Sequence, residues 1–243
     1  MRLVSGMRSV TALADLPQLE RQTLSGTAYA ALSDLLASGR LAPGERLSLR
    51  QSAAAFGVSV MPVREAVSRL VADGVLEVSP ARVIRVPMMS QDAFRALAET
   101  RIAVEGIAAA RTALRHSAED LSAIRNAEAA FRSEAEATQP DRARAIQLNR
   151  DLHFAIYDAC GLAPLREIIA RLWLKAGPVI NLDLRAHPER LRQGFALRRH
   201  AEALAAIEAR DAPAAERAIA ADIREAAEFI LARGGLQDHS GGD

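Results

Sequence analysis

Residues 56–78 read FGVSVMPVREAVSRLVADGVLEV, and the order of residue types within them decides the fold. Gly57-Val58-Ser59 makes a turn, Ser59 is placed to N-cap the helix that follows, and Pro62 falls in its first turn, where a missing N–H costs little. Val63, Ala66, Val67 and Leu70 recur at the spacing of a buried helical stripe. After Gly74 the pattern changes to a short β-branched run, VLEV. Ser59, Val60, Met61 and Arg64 are left facing outward at the leading end of a helix whose other side is anchored.

Working upstream, SGTAYAALSDLLASG puts Ala28, Leu32, Leu35 and Leu36 on one helical face and stops at Gly39. LAPGERLS reads as a turn by its Pro-Gly pair, and LRQSAAAF as a short helix ended by Gly57. Downstream, VLEV and VIRV joined by SPAR predict a hairpin of short strands. Three helices followed by a two-stranded wing spell a winged helix-turn-helix. From MSQDAF onward no strand pattern occurs. Helical segments run at roughly 90–114, 117–136, 140–160, 163–185, 188–209 and 212–233, separated by HSAED, TQPD, GLAP, AHPE and DAPA. The expected fold is mainly α: a winged helix-turn-helix domain over 23–88, then an antiparallel six-helix bundle over 89–234. A flexible segment, 1–22, precedes them, and a disordered tail, 235–243, follows.

The totals agree with that reading. Half of the chain is apolar but only 4% is aromatic, which favours closely packed alanine-rich helices. The single Cys160 excludes an intramolecular disulfide and fits a reducing cytoplasm. No secretory leader and no apolar run of about 18 residues occurs, so no membrane partner is expected. Residues 1–88 carry ten basic and seven acidic side chains, residues 89–243 twenty-one and twenty-three. A mildly basic front suits a nucleic-acid module joined to something else.

The second helix of a helix-turn-helix enters the major groove of double-stranded DNA with its N-terminal residues toward the bases. Arg64 can fork two hydrogen bonds to guanine or brace a phosphate, Ser59 stands beside it, and Val60 and Met61 can pack against thymine methyls. Arg50, Arg82 and Arg85 are placed for the backbone. The plainer readings are a solvated helix charge for Arg64 and a solvent-facing strand position for Arg85.

The stretch LAPGERLSLRQSAAAFGVSVMPVREAVSRLVADGVLEV resembles the N-terminal domain of the GntR family of bacterial transcription regulators. Gly57-Val58-Ser59 and Pro62-Val63-Arg64-Glu65-Ala66 match the family's hallmark run. Val60 stands where members commonly carry Arg, and Ala81 where the wing tip often has Gly. The helical remainder resembles the FadR-type (FCD) effector domain.

In that remainder Asn149 and His153 are four residues apart, hence on one helical face. His200 lies beside the apolar stripe of Leu204 and Ile207, and Asp222 interrupts the stripe between Ile219 and Phe229. Three helices thus turn polar groups toward a bundle interior, where an unpartnered one is costly. The resemblance implies a divalent metal (Zn, Ni or Mn) under a small carboxylate effector. Asn149, His153 and His200 match the family's ligand positions, and Asp222 occupies the one that is normally His. Equally, Asp222 can hydrogen-bond a histidine and leave no metal, and His200 can simply pack in the core.

Arg101 matches the family's Arg-x-x-x-Glu, implying that it meets the effector carboxylate together with His153 and His200. The alternative is a surface pair with Glu105. His116 and His187 read as helix caps, and His239 as part of the polar tail. The expectation is a homodimeric repressor that leaves operator DNA when its effector binds. Its rivals are a metal-dependent hydrolase built on His153, His200 and Asp222, and a DNA-binding dimer with no effector.

Overall fold

Ser48, Ser90, Ser117, Asp141 and Asp211 each accept a hydrogen bond from a backbone N–H in the first turn of the helix they precede. These short side chains satisfy donors that a helix start cannot satisfy internally, which is why the chain breaks where it does. At Ser117 the arrangement is reciprocal, with Asp120 reaching back to the Ser117 N–H. The computed structural model of the chain describes residues 24–186, 194–233 and 236. The lead-in 1–22, His187 and His239 lie outside the described residues.

The head is formed by α1 (Leu24–Ala37), β1 (Arg46–Leu47), α2 (Leu49–Phe56), α3 (Val60–Ala72), β2 (Glu77–Val78) and β3 (Ile84–Arg85). Leu32 and Leu36 of α1 meet the Val63, Ala66, Val67 and Leu70 stripe of α3, and all six are buried. Gly57 turns α2 into α3 at φ 66°, a backbone that costs glycine little.

Two expectations are corrected here. The wing is a three-stranded antiparallel sheet in the order β1-β3-β2, because Arg46-Leu47, read as part of a turn, pairs with Ile84-Arg85. Two residues carry no alternation by which a strand could be recognised. Ser59 occupies the N-cap position of α3, but its side chain makes no capping bond. At the wing tip, next to Ala81, Arg82 is left-handed at φ 59°. Arg82 donates its N–H to the Ser79 carbonyl at 2.8 Å to close that turn.

The bundle holds α4 (Gln91–Arg115), α5 (Ala118–Ala135), α6 (Arg142–Asp158), α7 (Ala163–Ala186), α8 (Phe195–Glu208) and α9 (Ala212–Ala232). α9 packs along α4 and against α8, and α5 lies on α6. Small residues at Ala108, Ala109, Ala113, Ala203, Ala215 and Ala218 let these helices approach closely. Leu236, the one described residue of the segment 235–243, packs against this core. No described helix is long and apolar enough to cross a membrane.

α7 belongs to both parts. Its Leu174 is buried in the hydrophobic core of the head, and its Asn181 amide donates to the Ala37 carbonyl at the end of α1. Arg150 of α6 reaches Asp34 of α1 at 2.9 Å, and Arg171 of α7 lies 3.8 Å from Asp73.

Candidate functional site

On the head, the anchored face of α3 leaves its first turn to solvent. Met61 is 57% exposed, an unusual placement for a large apolar side chain unless it has a partner. Arg50, Val60, Arg64 and Arg82 line one groove between α2, α3 and the wing, with Arg46 beside them. Arg46 is not singled out by the sequence, because LAPGERLS has the composition of a turn. Arg85 is turned to another use, donating from Nε to Glu77 at 2.5 Å across the sheet. Replacing Arg64 by Ala is expected to weaken operator binding by about 1–3 kcal/mol and to relax preference at one base pair. Titration of the operator and of single-base variants checks this, and an unchanged preference would remove Arg64 from base reading.

Inside the bundle a chamber of about 60 Å³ is lined by Arg101, Asn149, His153, Trp173, Asn181 and Asp222 among others. The i, i+4 spacing of Asn149 and His153 does bring both to one place. His200 is not in the lining. It lies just behind, 2% exposed, edge-on to Phe131 at 4.8 Å and to His153 at 5.1 Å between ring centroids. His153, His200 and Asp222 each present one ligand atom, all within 4.8 Å of one another. His153 Nε2 is 3.3 Å from Asp222 Oδ2, and His200 Nε2 is 3.6 Å from Asp222 Oδ1.

Neither ring nitrogen of His200 has a hydrogen-bond partner among the described residues, although both are buried. Burial, reinforced by His153 and opposed by Asp222, lowers the His200 pKa to about 4. The ring is therefore a neutral imidazole at neutral pH, the form that donates an electron pair to a metal. Orphaned buried nitrogens beside a carboxylate fit a divalent cation better than they fit an apolar core.

Of the two readings of Arg101, the alternative of a surface pair with Glu105 is corrected, because both side chains are buried. Arg101 Nε donates to Glu105 Oε1 at 2.6 Å and Nη2 to Oε2 at 3.3 Å, while the guanidinium lies 4.8 Å from the Trp173 ring centroid. Burial works against the Arg101 charge, yet the Glu105 carboxylate raises its pKa above the ordinary arginine value. Two of its three nitrogens are thus engaged within the protein. Glu105 also accepts from Tyr157 at 2.5 Å and from Trp173 at 3.0 Å. Burial, then Glu105, drives the Tyr157 phenol pKa well up, so the hydroxyl keeps its hydrogen. His116 is the C-cap residue of α4, as expected, with Nε2 at 3.1 Å from the Ile207 carbonyl oxygen.

A winged head with an arginine-lined groove, seated on a helical bundle that encloses a mostly apolar chamber with a few polar groups, defines a DNA-binding regulator. The FCD domain family matches residues 96–225, and the bacterial regulatory proteins of the gntR family match residues 24–86. The HTH-type transcriptional regulator McbR of Escherichia coli K12 is 30% identical over 181 residues, 74% of this chain and 80% of that protein. An uncharacterized HTH-type regulator, BphR of Paraburkholderia xenovorans LB400, is 30% identical over 71% of this chain and 72% of its own. The solved structure of E. coli McbR/YncC superposes with a TM-score of 0.80 at 27% identity, covering 88% of this chain and 99% of that one. A GntR regulator of Rhodococcus sp. RHA1 shares the fold, with a TM-score of 0.70 at 23% identity and the same coverages. The chain belongs to the GntR family, in the branch that carries an FCD domain, and is a transcription regulator rather than an enzyme.

Proposed function

We propose that this regulator is a homodimeric repressor whose hold on its operator is released by a small carboxylate bound in the bundle chamber. The observation that carries the reading is the double use of α7. Trp173, Ala176, Gly177, Ile180 and Asn181 line the chamber, and the same helix holds the head through Asn181 and Leu174. A ligand that favours a shifted α7 therefore favours a shifted head, and only that differential affinity can move the equilibrium. Two-fold symmetry supplies the second head for a palindromic operator. The division of the chain into a DNA-binding part, 23–88, and an effector part, 89–234, is supported by where the two family matches end and begin.

The chamber bounds the effector. At about 60 Å³ it holds a few water-sized bodies, far below the ~300 Å³ or more of a drug-sized pocket. His153, His200 and Asp222 would hold a divalent cation, with Asn149 on the chamber wall as a further oxygen donor. Such an ion supplies a positive charge to which a carboxylate can bind. Arg101 would complement that charge with the edge of its guanidinium that Glu105 leaves uncovered.

Elemental analysis of protein purified without a metal-binding tag tests this directly. About one equivalent of Zn, Ni or Mn is expected in the wild type and little in His153→Ala. A panel of small carboxylates should release the wild type, but not the variant, from a selected operator. No metal in either protein would leave Asp222 as a hydrogen-bonding wall and return the search to ligands held by Arg101 and the histidines.

A further inference from the structure

Tyr157 stands between two groups that both draw on its single hydroxyl. Its oxygen is 2.5 Å from Glu105 Oε2 and 2.9 Å from His153 Nδ1. The Glu105 carboxylate, paired with Arg101, can only accept hydrogen bonds. The hydroxyl hydrogen is therefore committed to Glu105, and the contact with His153 must run the other way, with Nδ1–H donating to the Tyr157 oxygen. In the neutral ring, the form that binds a metal, the electron pair then falls on Nε2. That atom lies 3.3 Å from Asp222 Oδ2, and the His200 ring stands edge-on beside it.

The Glu105 end of this chain of bonds fixes its direction. Glu105 is 0% exposed and is gripped by Arg101, Tyr157 and Trp173 at once. His153 is 1% exposed, so its ring is almost wholly withdrawn from bulk solvent.

We infer that Glu105 and Tyr157 form a positioning relay that fixes His153 as the Nδ1–H tautomer and presents Nε2, toward Asp222 and His200, as an electron-pair donor to a divalent cation. Neither residue is at a ligand position. They act through His153, in the way that an outer hydrogen bond orients a metal-binding imidazole. The use assigned to Nε2 rests on the proposed metal site, whereas the Nδ1–H stands on the hydrogen bonds alone.

The test separates the two. In metal-free wild-type protein with 15N-labelled histidine at pH 8, long-range proton–nitrogen spectra should show His153 protonated at Nδ1 and bare at Nε2. A proton on Nε2 would overturn the relay, whatever the metal content. Tyr157→Phe should lose the tautomer preference and bind Zn²⁺ about 10–100-fold more weakly in a chelator competition. Both properties unchanged in that variant would also overturn it. If the variant does not fold, the wild-type spectrum still decides. A wild type that carries Nδ1–H but binds no Zn²⁺ supports the tautomer assignment and sinks the metal site.

Discussion

Glu105→Ala is expected to cost about 3–5 kcal/mol of unfolding free energy, the range for breaking a buried ion pair by removing one partner. Glu105 is wholly buried and accepts from Arg101, Tyr157 and Trp173. Deleting it leaves the 5%-exposed Arg101 with an uncompensated charge and orphans a phenol and an indole N–H. Denaturant unfolding gives the size. Replacing the pair together, as Arg101→Met with Glu105→Leu, should recover the part of the loss that comes from the bare Arg101 charge, while the Tyr157 hydroxyl and Trp173 N–H remain orphaned. A loss below about 1 kcal/mol in the single variant would place the pair among solvated surface bridges.

The second large effect is expected at Gly177, where α7 crosses the end of α1. A Cβ there would lie 2.8 Å from Ala37 Cα and 3.0 Å from the carbonyl oxygens of Ala37 and Leu36. All three are backbone atoms, which cannot swing aside. Gly177→Ala should therefore cost about 1–3 kcal/mol at this seat by overpacking, opposed by about 1 kcal/mol that alanine gains over glycine within a helix. The loss should be local, read as faster amide exchange at residues 36–39 than elsewhere in α1. Gly106→Ala is the control. There the added Cβ meets only Glu216 Cγ at 3.0 Å, part of an exposed flexible side chain, so the helix gain should prevail. Equal destabilisation by both substitutions would mean that the seat of the head on α7 is loose.

Much of this was legible because it is local. The stripe Val63, Ala66, Val67 and Leu70 is a periodicity, and all four are buried. Ser117, Asp141 and Asp211 announce their helices by residue type alone, and each makes its capping bond. The four-residue step from Asn149 to His153 placed both on the chamber wall. The strand Arg46-Leu47 was not legible, since its only support is a partner some forty residues away.

Glu105 was misplaced for a different reason. An i, i+4 Arg–Glu pair looks the same on a wet face and a dry one. A hint lay nearby, since Gly106, Ala108 and Ala109 make the flank of Glu105 small and apolar. Tyr157, four residues beyond His153, could likewise have been placed on the same face. Nothing in the sequence, however, ties Trp173 to Glu105 or Asn181 to Ala37, contacts spanning 68 and 144 residues.

By itself, then, the sequence determined the order of helices, the anchored face of the recognition helix and the residue types of both sites. These follow from interactions within a few turns of chain, which period, caps and glycines record directly. Only the tertiary structure decided which charges are dry, which groups the two nitrogens of His153 meet, and that one helix both walls the chamber and carries the head. Those depend on which faces meet, and burial is what turns an ordinary ion pair or amide into a group that must find its partner.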